Sequence, residues 1–185
     1  MKTLIILRGL PGAGKTTIVK YLEEKAGQEA TVCSADHYFY FGKEHTPENY
    51  KFDRALLDKA HGFCKYHCIK AIEENKELIV IDNTNIKLRD FKLYALLGAE
   101  AGYTVISHAI VGMSAEDSFK LNVHNVPIEA CARMYGAFEK CPRKIIGQKD
   151  NSVVEITEIV HDFEWIRKGV FENGHFGKKN SKKNR

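Results

Sequence analysis

No two cysteines in this sequence are spaced C-x-x-C, no apolar run approaches the roughly 20 residues of a membrane span, and no internal repeat is visible. The first absence, together with an odd total of five cysteines (Cys33, Cys64, Cys68, Cys131 and Cys141), argues against a disulfide framework and a zinc ribbon. Reduced thiols in a cytoplasmic or nuclear setting are expected. The second absence, with an N-terminus lacking the apolar segment and cleavage site of a signal peptide, leads to the expectation of a soluble protein with no membrane partner. Acidic residues are missing from residues 177–185, which hold five of the 28 lysines and arginines and leave 23 basic against 24 acidic residues elsewhere. A basic tail on a near-neutral body suits an anionic partner such as nucleic acid, or else serves as a disordered, solubilising end.

What is present is an alternation. Residues 4–7, 30–33, 78–81 and 103–106 are short apolar runs that read as buried strands, and residues 15–25, 54–75 and 88–101 read as helices between them. Strand and helix in alternation imply an α/β fold with a parallel sheet covered on both faces. Leu57, Ala60, Cys64, Cys68 and Ile72 recur at steps of three or four, the stripe of a helix packed on a sheet. That stripe makes Cys64 and Cys68 packing residues rather than metal ligands. Ser114 to Asp117 resembles a capping box, and Pro127 stands where a helix begins. Residues 153–160, β-branched and partly alternating, predict a late strand or hairpin.

The first strand runs into Gly9-Leu-Pro-Gly-Ala-Gly-Lys15-Thr16, which fits G-x-x-x-x-G-K-[ST] at every fixed position and opens a helix. This is the P-loop context. Glycines let backbone N–H groups curl around phosphate oxygens, and the helix N-terminus adds positive potential. Gly9, Pro11, Gly12, Ala13, Gly14, Lys15, Thr16 and Thr17 are therefore the expected nucleotide-binding set, with Lys15 on the terminal phosphates and Thr16 on Mg²⁺.

Ligands of open α/β sheets gather beyond the carboxyl ends of the strands. After the second strand stands Asp36, placed either to take a proton from an attacking hydroxyl or to cap a helix. After the third stands Asp82-Asn-Thr84-Asn85. Asp82 is placed like a Walker-B acid that holds magnesium, and Thr84 and Asn85 suit a substrate phosphate or sugar, although the same residues also build Asx-type turns. Tyr38 and the aromatics after it offer a stacking surface for a terminal base, or a cap on the core.

The stretches GLPGAGKTT, CSADHYFY, YKFDRALLDKAHGFC, IVIDNTNIK and LNVHNVP…ARMYGAFE, in this order over about residues 1–140, resemble the AAA_33-type P-loop kinases. That group includes phage polynucleotide 5′-hydroxyl kinase and the kinase-like domain of a ubiquitin-ligase-binding protein. The resemblance implies a three-layer P-loop NTPase fold with a helical lid over residues 1–150, followed by an extension over 151–176 and the basic tail over 177–185. It implies transfer of the γ-phosphate of ATP, with Mg²⁺, to a 5′-hydroxyl of DNA or RNA. Asp36 matches the aspartate that activates this hydroxyl, Thr84 and Asn85 fall on the family's DTN element, and His61 is expected at the acceptor cleft.

Three departures follow. Asn83 stands where that element has its aspartate, with Asp82 one residue earlier. Phe39 replaces an arginine that contacts the acceptor's phosphate. The lid segment, residues 122–127, has no arginine, and among Lys120, His124, Arg133 and Arg143 the expected substitute is Arg133, which otherwise reads as a solvated helix-face residue. A kinase for a small acceptor and a nucleotide-binding interaction module with weak catalysis are the alternative readings.

Overall fold

The structure is a computed structural model that describes residues 1–147 and 153–169. Within them the chain runs β1 (Thr3–Arg8), α1 (Lys15–Ala26), β2 (Thr31–Cys33), α2 (Leu57–Glu73), β3 (Leu78–Asp82), α3 (Leu88–Glu100) and β4 (Thr104–Val111). It continues through α4 (Ala115–Leu121), α5 (Ile128–Gly136), β5 (Lys144–Ile146), β6 (Val153–Glu155), β7 (Thr157–Asp162) and α6 (Phe163–Arg167). Five strands form one parallel sheet in the order β2-β3-β1-β4-β7. The basic tail expected over residues 177–185 lies outside the described residues.

The side-chain period of a strand explains the layers. Leu4 and Ile6 of β1 and Ile79 and Ile81 of β3 point into one core, where they meet Ala60, Cys64 and Cys68 of α2 and Phe91 of α3. Ile5, Leu7, Leu78 and Val80 point the other way, against Ile18 and Val19 of α1 and Phe163 and Ile166 of α6. Alternate residues therefore bury both faces. Each such side chain contributes about 1.5–3 kcal/mol of burial, and a charge placed at Ile81 would break the sheet at its centre. Cys64 and Cys68 are fully buried on the expected stripe, and no group of three or more metal-ligating side chains stands ready to hold an ion among the described residues.

Helix ends follow their local chemistry. Ser114 caps α4, its Oγ accepting from the Asp117 N–H at 3.0 Å, as its capping-box spacing predicts. Gly14 precedes α1 with φ 91°, and Gly27 closes it with φ 65°. The β-branched run after residue 150 divides in two: β6 pairs antiparallel with β5, and β7 joins the main sheet beside β4. The segment expected as an extension thus supplies the sheet's edge strand. A buried imidazole pair, His108 Nδ1 and His161 Nε2 at 2.9 Å, bridges β4 and β7. Burial pushes both well below the ordinary histidine value. No helix among the described residues is long and apolar enough to cross a membrane.

Candidate active site

Because β1, β2 and β3 are parallel and in register, with Leu7 opposite Asp82 and Cys33 opposite Ile81, their carboxyl ends deliver Gly9, Ser34 and Asp82 to one rim. The loop from Gly9 to Gly14 is gripped from three sides. The Gly9 N–H donates to the Thr84 carbonyl at 3.0 Å. Ser118 Oγ of α4 donates to the Pro11 carbonyl at 2.8 Å. Gly12 (φ 75°) and Gly14 (φ 91°) lie so close to later chain that a Cβ would come within 2.7 Å of the Leu121 carbonyl carbon and 2.6 Å of Ile166 Cγ2, respectively. Both positions require glycine for conformation and for space.

No side chain caps α1; the Thr17 N–H is met by the Gly14 carbonyl at 3.0 Å, and no capping side chain meets the N–H groups of Lys15 and Thr16. Lys15 Nζ lies over the loop, donating to the Gly9 and Leu10 carbonyls at 3.3 and 3.1 Å. Burial lowers its pKa, while Asp82 and Asp36 act to hold its charge. Asp82 is pushed up by burial, with Lys15 and His124 opposing that shift and Asp36 reinforcing it. The exposed Thr16 and Thr17 follow on the same turn. Hydroxyl and carboxylate oxygens are the donors a hard divalent cation takes, and Thr16 and Asp82 fit Mg²⁺ by this chemistry.

Asp36 opens a 3-10 turn, Asp36–Tyr40, that carries no side-chain cap. Its carboxylate caps nothing at that end. Tyr50 donates its hydroxyl to Asp36 Oδ1 at 2.8 Å, and His124 Nε2 lies 3.7 Å from Oδ2. The Tyr50 and His124 rings pack at 4.3 Å. The carboxylate remains 47% exposed, so it is oriented yet reachable. Tyr50 has no counterpart among the expectations. His124 is a basic candidate passed over for Arg133.

Several expected roles change. Arg133 lies exposed on α5, and His124 is the basic lid residue brought within 4 Å of Asp36. Asn85 is 2% exposed, has φ 46°, and donates its amide to the Leu7 carbonyl at 2.7 Å. It ties the ends of β1 and β3 together, so it is a framework residue and not a substrate ligand. Asn83 Oδ1 accepts from the Ala35 N–H at 2.9 Å, and its amide reaches Cys64 Sγ at 3.3 Å. Those bonds occupy Asn83 in the framework and leave Asp82 as the carboxylate beside Lys15. Thr84 contributes its carbonyl to the loop. His61 is exposed, while Phe63 and His67, on the same helix, line the cleft that Tyr38 borders.

Arg8, unremarked in the sequence, is fully buried between the Phe91 and Phe138 rings, at 4.7 and 4.9 Å from their centroids. Its guanidinium donates to the Asn85, Ile86 and Glu139 carbonyls and pairs with Glu158 at 2.7 Å. Such a charge is tolerated in the interior because each of its three nitrogens finds an acceptor. The one signal for it in the sequence is a lone arginine closing an apolar strand.

A parallel sheet ending in a glycine loop, a lysine and paired acids defines a P-loop NTPase fold of the kinase-like class. The family model for the AAA domain AAA_33 matches residues 4–134, and the chain belongs to that family. Human NEDD4-binding protein 2 is 29% identical over 140 residues, 74% of this chain and 8% of that protein. The chain therefore spans a small part of this curated relative's length. Among solved structures, the Pnkp1/Rnl/Hen1 RNA repair complex superposes with a TM-score of 0.55 at 17% identity, over 74% of this chain and 44% of that one. A sugar kinase from Janibacter sp. HTCC2649 superposes at 0.53 and 15% identity, over 92% of this chain and 91% of that one. At these identities the two structures share the fold.

Proposed function

We propose that this chain is an ATP-dependent polynucleotide 5′-hydroxyl kinase. The observation that carries the reading is Asp36, a half-exposed carboxylate that acts on the charge of Lys15, with one oxygen fixed by Tyr50. In the reaction the acceptor's 5′-oxygen attacks the γ-phosphorus, its proton passes to Asp36, and the bond to the β,γ-bridging oxygen breaks to release ADP. The backbone from Gly9 through Gly14, with Lys15, Thr16 and Thr17, holds the phosphates. Thr16 and Asp82 would hold Mg²⁺, which would supply charge neutralisation to the phosphates. Tyr50 is a positioning residue for Asp36.

The choice of a nucleic acid acceptor is supported by the IVIDNTNIK and HNVP stretches and by the likeness to a structure from an RNA repair complex. A basic tail suits the same partner. The lack of an arginine in residues 122–127 favours a second reading, a nucleotide-binding module with weak catalysis. Labelled ATP incubated with 5′-hydroxyl DNA and RNA oligonucleotides, nucleosides and sugars tests both. Label on the oligonucleotide 5′-end supports the kinase. Label on nucleosides or sugars alone overturns the acceptor, and ATP binding with no transfer to any of them overturns the kinase in favour of the module.

A further inference from the structure

Close to Asp36 in sequence, and outside the donor site, a cleft of about 530 Å³ opens between β2, the 3-10 turn and α2. That volume lies within the range of sites that enclose small organic ligands. Ser34 and His37, two residues before Asp36 and one after it, form part of its wall. Asp36 lies between these two wall residues in the chain, and it is not itself among the residues of the wall.

Its lining is built of rings. Tyr38 lies 5.8 Å from both Phe41 and Phe63, Phe63 lies 4.2 Å from His67, and His37 lies 4.4 Å from His45. Phe41 is 56% exposed and takes φ 48°, in the left-handed region where a bulky side chain is an outlier. The chain holds an uncovered aromatic ring in a costly conformation at the mouth of this cleft. His37 brings little charge to it. Burial, with His45 and His67 adding to the effect, pushes His37 down to about 4 against the pull of Asp36. No metal-holding group of side chains is found among the described residues. An anion is poorly matched to such walls. A flat, uncharged heteroaromatic with donors and acceptors on its edge is well matched, since rings stack on its faces and the His37 imidazole bonds its edge.

We infer that this cleft is the subsite for the 5′-terminal base of the acceptor strand, which stacks on Phe63 and Phe41 while its 5′-hydroxyl reaches Asp36. The inference rests on the kinase reading for its substrate, and it deepens that reading. The base subsite is separate from the phosphate contacts, so recognition at the strand's end takes place by ring stacking and is tolerant of sequence. It also assigns His61, exposed outside the cleft lining, no part in base recognition.

Two measurements on the full chain test it. The first is quenching of 2-aminopurine at the 5′-terminal position of an oligonucleotide, with the same fluorophore at the 3′-end as control. The expected result is quenching at the 5′-end alone, weakened in apparent affinity by about 5- to 150-fold in Phe63→Ala. Phe41→Ala, at an exposed ring whose loss leaves the core intact, is expected to weaken it in the same sense. The second is KM for a 5′-hydroxyl strand whose terminal base is replaced by an abasic sugar. A rise in KM in the wild type with kcat retained, and no further rise when Phe63→Ala is combined with the abasic end, supports the subsite. Equal KM for normal and abasic ends, or quenching that is the same at both ends, overturns it even if transfer proceeds. Quenching confined to the 5′-end and lost in both variants, with no transfer to any strand, supports the subsite while the kinase reading fails.

Discussion

On the donor side of the cleft, position is set by backbone: Gly12 and Gly14 hold positive φ, the Gly9 N–H is bonded to Thr84, and the lid and α6 press on the loop within one Cβ of contact. On the acceptor side, position is set by side chains. Asp36 is aimed by a tyrosine 14 residues away and approached by a lid histidine, on a 3-10 turn surrounded by aromatic rings. The difference teaches how one fold serves many acceptors. A backbone cradle changes only with the chain path, whereas a side-chain cradle changes one substitution at a time.

The largest effect that would test this contrast is expected at Lys15. Lys15→Ala removes the charge over the phosphates and is expected to abolish transfer, with the melting temperature near that of the wild type. Near-normal turnover by the purified variant would detach the loop from the chemistry. Asp36→Asn comes next, losing about 10²–10⁴-fold in turnover while ATP affinity stays within a few-fold, because a base acting on the acceptor does not touch the donor. Weaker ATP binding at unchanged turnover would place Asp36 on the donor side. Tyr50→Phe deletes one hydrogen bond to a carboxylate and is expected to lower kcat about tenfold with little change in the KM for ATP. His124→Ala is expected to exceed Arg133→Ala in its effect on kcat, and the reverse order would return the lid's basic role to α5.

The smallest effect lies away from the cleft. His108 and His161 are held neutral by burial, so the unfolded chain binds more protons than the folded one once pH falls through about 6.5. Stability is then fully present above that value and is lost below it, on the order of 1 kcal/mol per histidine between pH 6.5 and 5. Denaturant titrations across this window measure the slope. A flat profile would mean that the pair accepts protons without loss, and the donor loop, whose α6 contact follows β7, would then be insensitive to acid.

Legibility in the sequence divides along the same line. The P-loop, the parallel sheet implied by alternation, and the stripe of α2 were readable because each is a local pattern: a φ requirement, a period of two, a period near 3.6. Asn85 misled because an amide that bridges two strands and an amide that binds a substrate are written with the same letter. Tyr50 carries no local mark at all, and His124 only its place in the lid segment, since their meaning lies in a contact with Asp36 made through the tertiary fold. Arg133 drew attention by its helix and its charge, yet its face of α5 is exposed. Residues 153–160 read as strand from their β-branched content, but nothing in them specified a place beside β4.

Arg8 has one more consequence, for the time course of synthesis. Its carboxylate partner Glu158 lies 150 residues further along the chain, so at about 5–20 residues per second on the ribosome the arginine waits roughly 8 to 30 s before that partner exists. A buried guanidinium without its acid is strongly unfavourable, and β1 therefore cannot settle into its final burial while the chain is still short. The nucleotide loop, made before the rest of this domain, is among the last of its parts to be completed. A nascent chain stalled before β7 should expose Arg8 to solvent and be poor at capturing nucleotide, which couples the onset of binding to the near-completion of the domain.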